Sequence, residues 1–176
     1  HNLLNACAAI AATWEITGHD KAAIAKGLGA FEGLPHRLKF VREVNGTRFY
    51  DDSIATTPGS AIAAIKAFDR PKVLILGGVD KGADYHELGR VIGHGNVRVV
   101  LAIGANRSKI AEQIMDETEV SVVQSSATDM QDIVQTVYDL SNPGDVVILS
   151  PAAASFDMFK SYQDRGDQFV AAVNEL

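Results

Sequence analysis

One cysteine, Cys7, occurs in 176 residues. That excludes an internal disulfide and any cysteine-based metal cluster, and leaves Cys7 as a small apolar residue expected to pack on a helix. No apolar run approaches the roughly 18 residues needed to cross a bilayer. Basic residues number 16 against 22 acidic ones and form no long block, so binding to nucleic-acid phosphates is not expected. No dinucleotide fingerprint is present: Gly27-Leu-Gly29 and Gly93-His-Gly95 each lack the third glycine. Gly77-Gly78 with Lys81 does not have Walker A spacing, and no Gly-x-Ser-x-Gly elbow surrounds Ser155. No secretory signal is visible; the chain begins without Met, inside an apparent helix, and is expected to be a piece of something longer.

What is there is a regular alternation. Residues 2–16 place Leu3, Leu4, Cys7, Ala8, Ala11, Ala12 and Trp14 at spacings suited to a buried helix face, and 21–28 form a second short helix. Glycines 27, 29 and 33, followed by Pro35, mark a boundary near 33–36. A hairpin over 38–51 turns at Asn45-Gly46, because Asn-Gly supplies the positive φ angles of a type I′ turn. Helix 58–68, strand 73–76, a short helix around 85–92, strand 97–103, helix 107–116 and strand 120–124 follow. Thr128-Asp-Met-Gln131 reads as a capping box opening a helix to Leu140. Strand 145–149 precedes a helical region from about Asp157 to Asn174, expected to break near Gly166. Strands alternating with helices predict a Rossmann-like, doubly wound α/β fold with a mostly parallel sheet and an amino-terminal hairpin. The expected division is 1–35, short helices ending a preceding domain, and 36–176, the α/β domain.

In such sheets ligands sit beyond the carboxyl ends of the strands. Three polar loops leave strands there: 51–57, 77–84 and 150–157. Thr57-Pro58 is an N-cap followed by the favoured first helical residue. The surrounding Asp51, Asp52, Ser53 and Thr56 read either as a well-capped junction or as a binding site. Lys81 reads as a solvated surface charge or as a point charge for a substrate carboxylate. Ser155 has no histidine with an evident place beside it, so a hydrolase triad is not expected. His19, His86 and His94 lack metal-ligand spacing.

Gly33-Leu-Pro-His-Arg37, Asp52-Ser-Ile-Ala-Thr-Thr-Pro58, Gly77-Gly-Val-Asp-Lys-Gly-Ala-Asp84 and Leu149-Ser-Pro-Ala-Ala-Ala-Ser-Phe-Asp-Met-Phe-Lys160 occur in that order. Together they resemble the carboxy-terminal part of a Mur ligase, over essentially the whole chain. The resemblance implies residues 1–35 as the tail of a central ATP-binding domain and 36–176 as the family's carboxy-terminal domain. It implies an ATP-dependent, cytoplasmic and monomeric enzyme of peptidoglycan synthesis that joins glutamate to UDP-N-acetylmuramoyl-L-alanine through an acyl phosphate. ATP and Mg2+ are implied as cofactors, with the metal ligands and Walker lysine upstream. Glutamate would be bound by Thr56, Lys81 and Ser155, in a pocket lined by Phe156 and Tyr162. Nucleotide would be held by Asn2, His36, Arg37 and Asp52: Asn2 and His36 flanking adenine, Arg37 on the polyphosphate and Asp52 on the ribose hydroxyls. Glutamate-adding members usually carry lysine where this chain has Ile54, so an L-glutamate-adding variant is one alternative. Another Mur or folylpolyglutamate-type ligase is a second, and a non-catalytic Rossmann-like nucleotide-binding module is a third.

Overall fold

The computed structural model describes the backbone from Asn2 to Leu176 and side chains from Leu4 onward. Two units are distinguished, His1–Leu34 and Pro35–Leu176. The first holds α1 (Asn2–Trp14) and α2 (Lys21–Gly29), the latter capped by Asp20, whose carboxylate accepts from the Ala22 and Ala23 N–H groups. The expected buried face of α1 is not buried here: Leu4 is 74% exposed, and Cys7 is exposed rather than packed. Two short helices cannot by themselves enclose a core, because so small a unit has too little interior for its surface.

The second unit is a six-stranded sheet with order β1-β2-β6-β3-β4-β5. Its strands are β1 (Lys39–Val44), β2 (Thr47–Asp51), β3 (Lys72–Gly77), β4 (Val97–Ile103), β5 (Ser121–Gln124) and β6 (Val146–Leu149). Only β1 runs antiparallel, paired with β2 through Asn45-Gly46, both at positive φ (47° and 85°) as the turn type requires. The remaining pairs are parallel. Side chains alternate between two cores, as a period of two dictates. Val73, Ile75, Leu101, Ile103, Val147 and Leu149 face α6 (Met130–Asp139) and α7 (Tyr162–Glu175). Leu74, Leu76, Val100, Ala102, Val146 and Ile148 face α3 (Pro58–Lys66), α4 (His86–His94) and α5 (Arg107–Met115). The doubly wound α/β architecture is therefore as the sequence implied. No helix among the described residues is long and apolar enough to cross a membrane.

Two local expectations are corrected. The cap of α6 is Asp129, not Thr128: its carboxylate accepts from the Asp132 N–H at 2.9 Å, and Gln131 instead donates to Glu175. The terminal helix starts at Tyr162 rather than near Asp157, capped by Ser161, and runs unbroken through Gly166. Gly166 is there for space: a Cβ would lie 2.2 Å from the His36 Nδ1 and 2.9 Å from an Asp51 oxygen.

Candidate functional site

The carboxyl ends of β2, β6 and β3 are neighbours in the sheet, so the loops that leave them are brought together by topology. At the end of β2, Asp51 and Asp52 are both buried. Asp51 accepts from the Ser53 N–H at 2.9 Å and lies 2.7 Å from the His36 Nδ1. Asp52 accepts from the Leu38 N–H (3.1 Å) and from the Ser150 hydroxyl (2.7 Å), which joins the ends of β2 and β6. His36 adopts positive φ, and its carbonyl accepts from the Ile54 N–H at 3.1 Å. The 36–38 segment is thus strapped to the 51–54 turn by its backbone as well as its side chains. Arg37 is half-buried, close enough to Asp52 to lower that carboxyl's pKa electrostatically.

Sequence reasoning gave no role to Arg165, the side chain that holds this end together. It is 1% exposed; its Nε donates to the Ser53 hydroxyl (2.9 Å), one terminal nitrogen to the Ser53 carbonyl (2.8 Å) and the other to the Ala153 carbonyl (3.1 Å). Burial lowers its pKa to about 10, against the opposing pull of Asp157 and Asp51, so it remains charged at neutral pH. Tyr162, one turn earlier, sets its ring edge-on to His36 at 6.1 Å between centroids.

Asp52 is 4% exposed, and its pKa rises to about 6, chiefly through burial; the Ser150 and Leu38 hydrogen bonds oppose the rise and Asp51 adds to it. Its folded-state value lies above the ordinary 3.8. The folded chain therefore holds this proton more tightly than the unfolded one. The stabilisation is fully present below the unfolded value and is lost as pH rises through about 6. The difference corresponds to at most about 3 kcal/mol. Asp52→Asn, which cannot ionise, is expected to match the parent near pH 4 and to exceed it in stability above pH 6 by up to about that amount. Denaturant melts of both proteins across pH 4–8 check this; parallel curves would contradict it.

The end of β3 is built differently. Gly77 and Gly78 both have positive φ, 128° and 150°, and a Cβ on either would lie about 2 Å from a backbone oxygen, that of Ile103 or Ala154. Only glycine lets these three loops approach so closely. Val79 bridges to Ala154, its N–H donating to the Ala154 carbonyl at 2.8 Å. Lys81 is exposed, forms no ion pair among the described residues, and carries its ammonium 5.8 Å from the Phe156 ring centre. Phe156 is itself 68% exposed, whereas the adjacent Ser155 is buried. Thr56 is exposed at the mouth of α3, beside the capping Thr57, whose hydroxyl accepts from the Ser60 N–H. Ile54 is half-buried. Asn2 begins α1, but its side chain lies outside the described residues.

Two groups therefore lie at the ends of β2 and β3, with the end of β6 between them. One is a buried acceptor, Asp52, with His36, Arg37 and Tyr162 around it. The other is an exposed cation, Lys81, over an exposed ring, with Ser155 beside that ring in sequence. The β4 exit, Gly104–Arg107, joins the second group: the Ala105 N–H donates to Asp157 at 2.8 Å, and a Cβ on Gly104 would collide with Asp157 and Gly78. That loop is not among the three that the strand-end pattern predicts. A cavity of about 620 Å3 opens elsewhere, at the amino ends of β3 and β4 between Lys66, Lys72, Arg90 and His94. It is remote from all the strand ends just described. Among the described residues no group of three or more His, Cys, Asp or Glu side chains could hold a metal ion.

Residues 36–153 match the family model described as Mur ligase, glutamate ligase domain. Over its full length the chain is 41% identical to a UDP-N-acetylmuramoylalanine--D-glutamate ligase of Acetivibrio thermocellus and 40% identical to that of Bacillus subtilis. It spans 38% of the length of each of these curated relatives. Among solved structures, MurF from Acinetobacter baumannii superimposes with a TM-score of 0.73 at 22% identity, over 100% of this chain and 38% of that one. A bifunctional folylpolyglutamate synthase/dihydrofolate synthase from Yersinia pestis gives 0.61 at 22% identity, over 89% of this chain and 35% of that one. These two likenesses establish the fold.

Proposed function

Because the chain belongs to the Mur ligase family, through its glutamate ligase domain, we propose that it is the carboxy-terminal portion of an ATP-dependent ligase joining D-glutamate to UDP-N-acetylmuramoyl-L-alanine. Residues 36–176 form the family's carboxy-terminal domain and residues 1–35 the end of the central, ATP-binding one. The observation that carries the reading is the pair of unlike groups at the ends of β2 and β3, on either side of β6. Asp52 is buried with a carboxylate suited to two vicinal ribose hydroxyls, and Arg37 beside it suits phosphate oxygens. Lys81 is a cation without a carboxylate partner among the described residues, in a loop pressed against the Ser155 segment. The two bacterial relatives are named as D-glutamate ligases, which supports the amino acid.

In this reading His36 lies beside the adenine, Lys81, Thr56, Ser155 and Phe156 form the amino-acid site, and Tyr162, its ring edge-on to His36, lines that site from the nucleoside side. The chain's residues fit the nucleoside and the amino acid, while Mg2+ and most phosphate contacts fall to the rest of the protein. The acyl carboxylate of the UDP-linked substrate accepts the γ-phosphoryl group of ATP, and ADP leaves. The glutamate amine then attacks that carbonyl and phosphate leaves. This chain orients the two reactants, a contribution that can reach roughly 7–11 kcal/mol of barrier in favourable cases. The setting is the cytoplasm and the enzyme a monomer.

Phosphate release by the full-length protein, with ATP, Mg2+, UDP-N-acetylmuramoyl-L-alanine and either enantiomer of glutamate, tests the proposal. Turnover dependent on D-glutamate is expected. Turnover with L-glutamate alone would convert the reading to a variant ligase, with Ile54 as the first residue to examine. No turnover with either would leave a non-catalytic module.

A further inference from the structure

The loop that carries Lys81 is held by one face of α5. Asn106, at the N-cap position of that helix, makes no side-chain capping bond, although asparagine there ordinarily does. Its side chain reaches out of the helix instead. The amide oxygen accepts from the Gly78 N–H at 2.8 Å, and the amide nitrogen donates to the Tyr85 hydroxyl at 2.9 Å. Its own backbone N–H donates to the Gly78 carbonyl at 3.1 Å. Gly78 and Tyr85 are the two ends of the loop, so one side chain, 3% exposed, ties both.

Two further residues of α5 repeat the pattern. Lys109 pairs with Asp80 at 3.1 Å to each carboxylate oxygen, and Asp80 in turn accepts from the Gly82 N–H at 2.8 Å. The Gln113 side-chain oxygen accepts from the Tyr85 N–H at 2.9 Å. Positions 106, 109 and 113 are spaced three and four apart and therefore share a helix face. That face grips the loop at its start, beside its lysine and at its end. Between these points Lys81, Gly82 and Asp84 are exposed, and Gly82 has φ of 77°. Besides this helix face, the loop is held by the Val79–Ala154 bridge, and the Lys81 ammonium lies beside the Phe156 ring.

We propose that Asn106 is a positioning residue for the amino-acid site: by joining Gly78 to Tyr85 it sets the Lys81 loop in its ligand-binding geometry before the ligand arrives. The proposal rests on the reading of Lys81 as the carboxylate-binding cation. Without the clamp, the loop must be ordered on binding, and that entropy is subtracted from affinity.

Three substitutions in the full-length ligase, Asn106→Ala, Asn106→Asp and Tyr85→Phe, are compared with Lys81→Ala. Hydrogen exchange at residues 79–84 and the Michaelis constants for glutamate and ATP are measured on each. Asn106→Ala is expected to speed exchange across 79–84 and to raise KM for glutamate roughly 5- to 100-fold, the scale of a lost buried hydrogen-bonded group. KM for ATP should stay within about twofold, because the nucleotide group hangs on β2 and α7 rather than on α5. Asn106→Asp should restore most of the loss, since a carboxylate still accepts from Gly78 and the Tyr85 hydroxyl can turn to donate to it. Tyr85→Phe should fall between. Unchanged exchange in Asn106→Ala would overturn the clamp. Equal rises in both Michaelis constants, tracking a fall in melting temperature, would reduce Asn106 to a general structural role and also overturn it. If Lys81→Ala raises KM for glutamate and Asn106→Ala does not, the positioning proposal alone fails. If neither does, the reading of the amino-acid site has failed first.

Discussion

Alanine in place of Lys81 is expected to raise KM for glutamate in the full-length ligase by roughly 30- to several-thousand-fold, corresponding to about 2–5 kcal/mol, while leaving KM for ATP little changed. The size follows from where the cation acts. Removing one partner of a charge pair in a closed, partly dehydrated cleft leaves the other charge desolvated and alone. In the structure Lys81 has no carboxylate of its own among the described residues, and its ammonium hangs beside Phe156. Were it simply a solvated surface charge, its loss would cost about 0–1 kcal/mol. Initial rates with glutamate and ATP varied separately distinguish the two cases, and an unaltered glutamate dependence would remove the 77–84 loop from the amino-acid site.

Arg165→Ala is expected to destabilise the Pro35–Leu176 unit by about 3–5 kcal/mol, because two buried carbonyls lose their donor and a large buried side chain leaves a void. The carbonyls are those of Ser53 and Ala153, one after β2 and one after β6. For a unit of this size the loss corresponds to a fall in Tm of roughly 10–17 °C. Arg165→Lys should recover little, since an ammonium cannot present the planar fork that reaches three oxygens at once. Thermal unfolding followed by circular dichroism checks both, and a loss in Arg165→Ala below about 1 kcal/mol would show that the loops stand without this guanidinium.

Much of this is legible in the sequence. Val73–Leu76 and Val97–Ile103 are too apolar and β-branched to be anything but central strands, and Asn45-Gly46 and Thr57-Pro58 each dictate a local geometry that the backbone adopts. The strand-end rule then indicated the three loops from topology alone. What escaped was long-range and made by single side chains. Gly166 reads as a helix break because glycine is a poor helix former. Its place is set instead by His36, 130 positions earlier, which occupies the space a methyl group would need. Nothing local to Asn106 announces that its amide goes to Gly78. The stripe Asn106, Lys109 and Gln113 was visible at helical spacing, but a polar stripe normally faces solvent. The apolar face of α1 followed helical periodicity correctly yet is uncovered in its own unit, since periodicity says which face wants burial and not what buries it.

The position of β6 has a consequence for how the chain is made. It is the last strand in sequence, yet it lies between β2 and β3, paired to both over Val146–Leu149. A chain emerging from the ribosome amino end first completes the β1-β2 ribbon and the β3-β4-β5 sheet as separate pieces. Each then has one raw edge waiting for a strand not yet synthesised. Such edges are templates for pairing with other chains, and contacts so distant in sequence form slowly. The wait lasts until residues 146–149 clear the exit tunnel. Those four residues close the sheet in one late step, and the closure joins Asp52 to Ser150 across the seam. A message broken before that codon leaves two half-sheets with nothing to unite them, a nascent product suited to aggregation or proteolysis rather than to partial function.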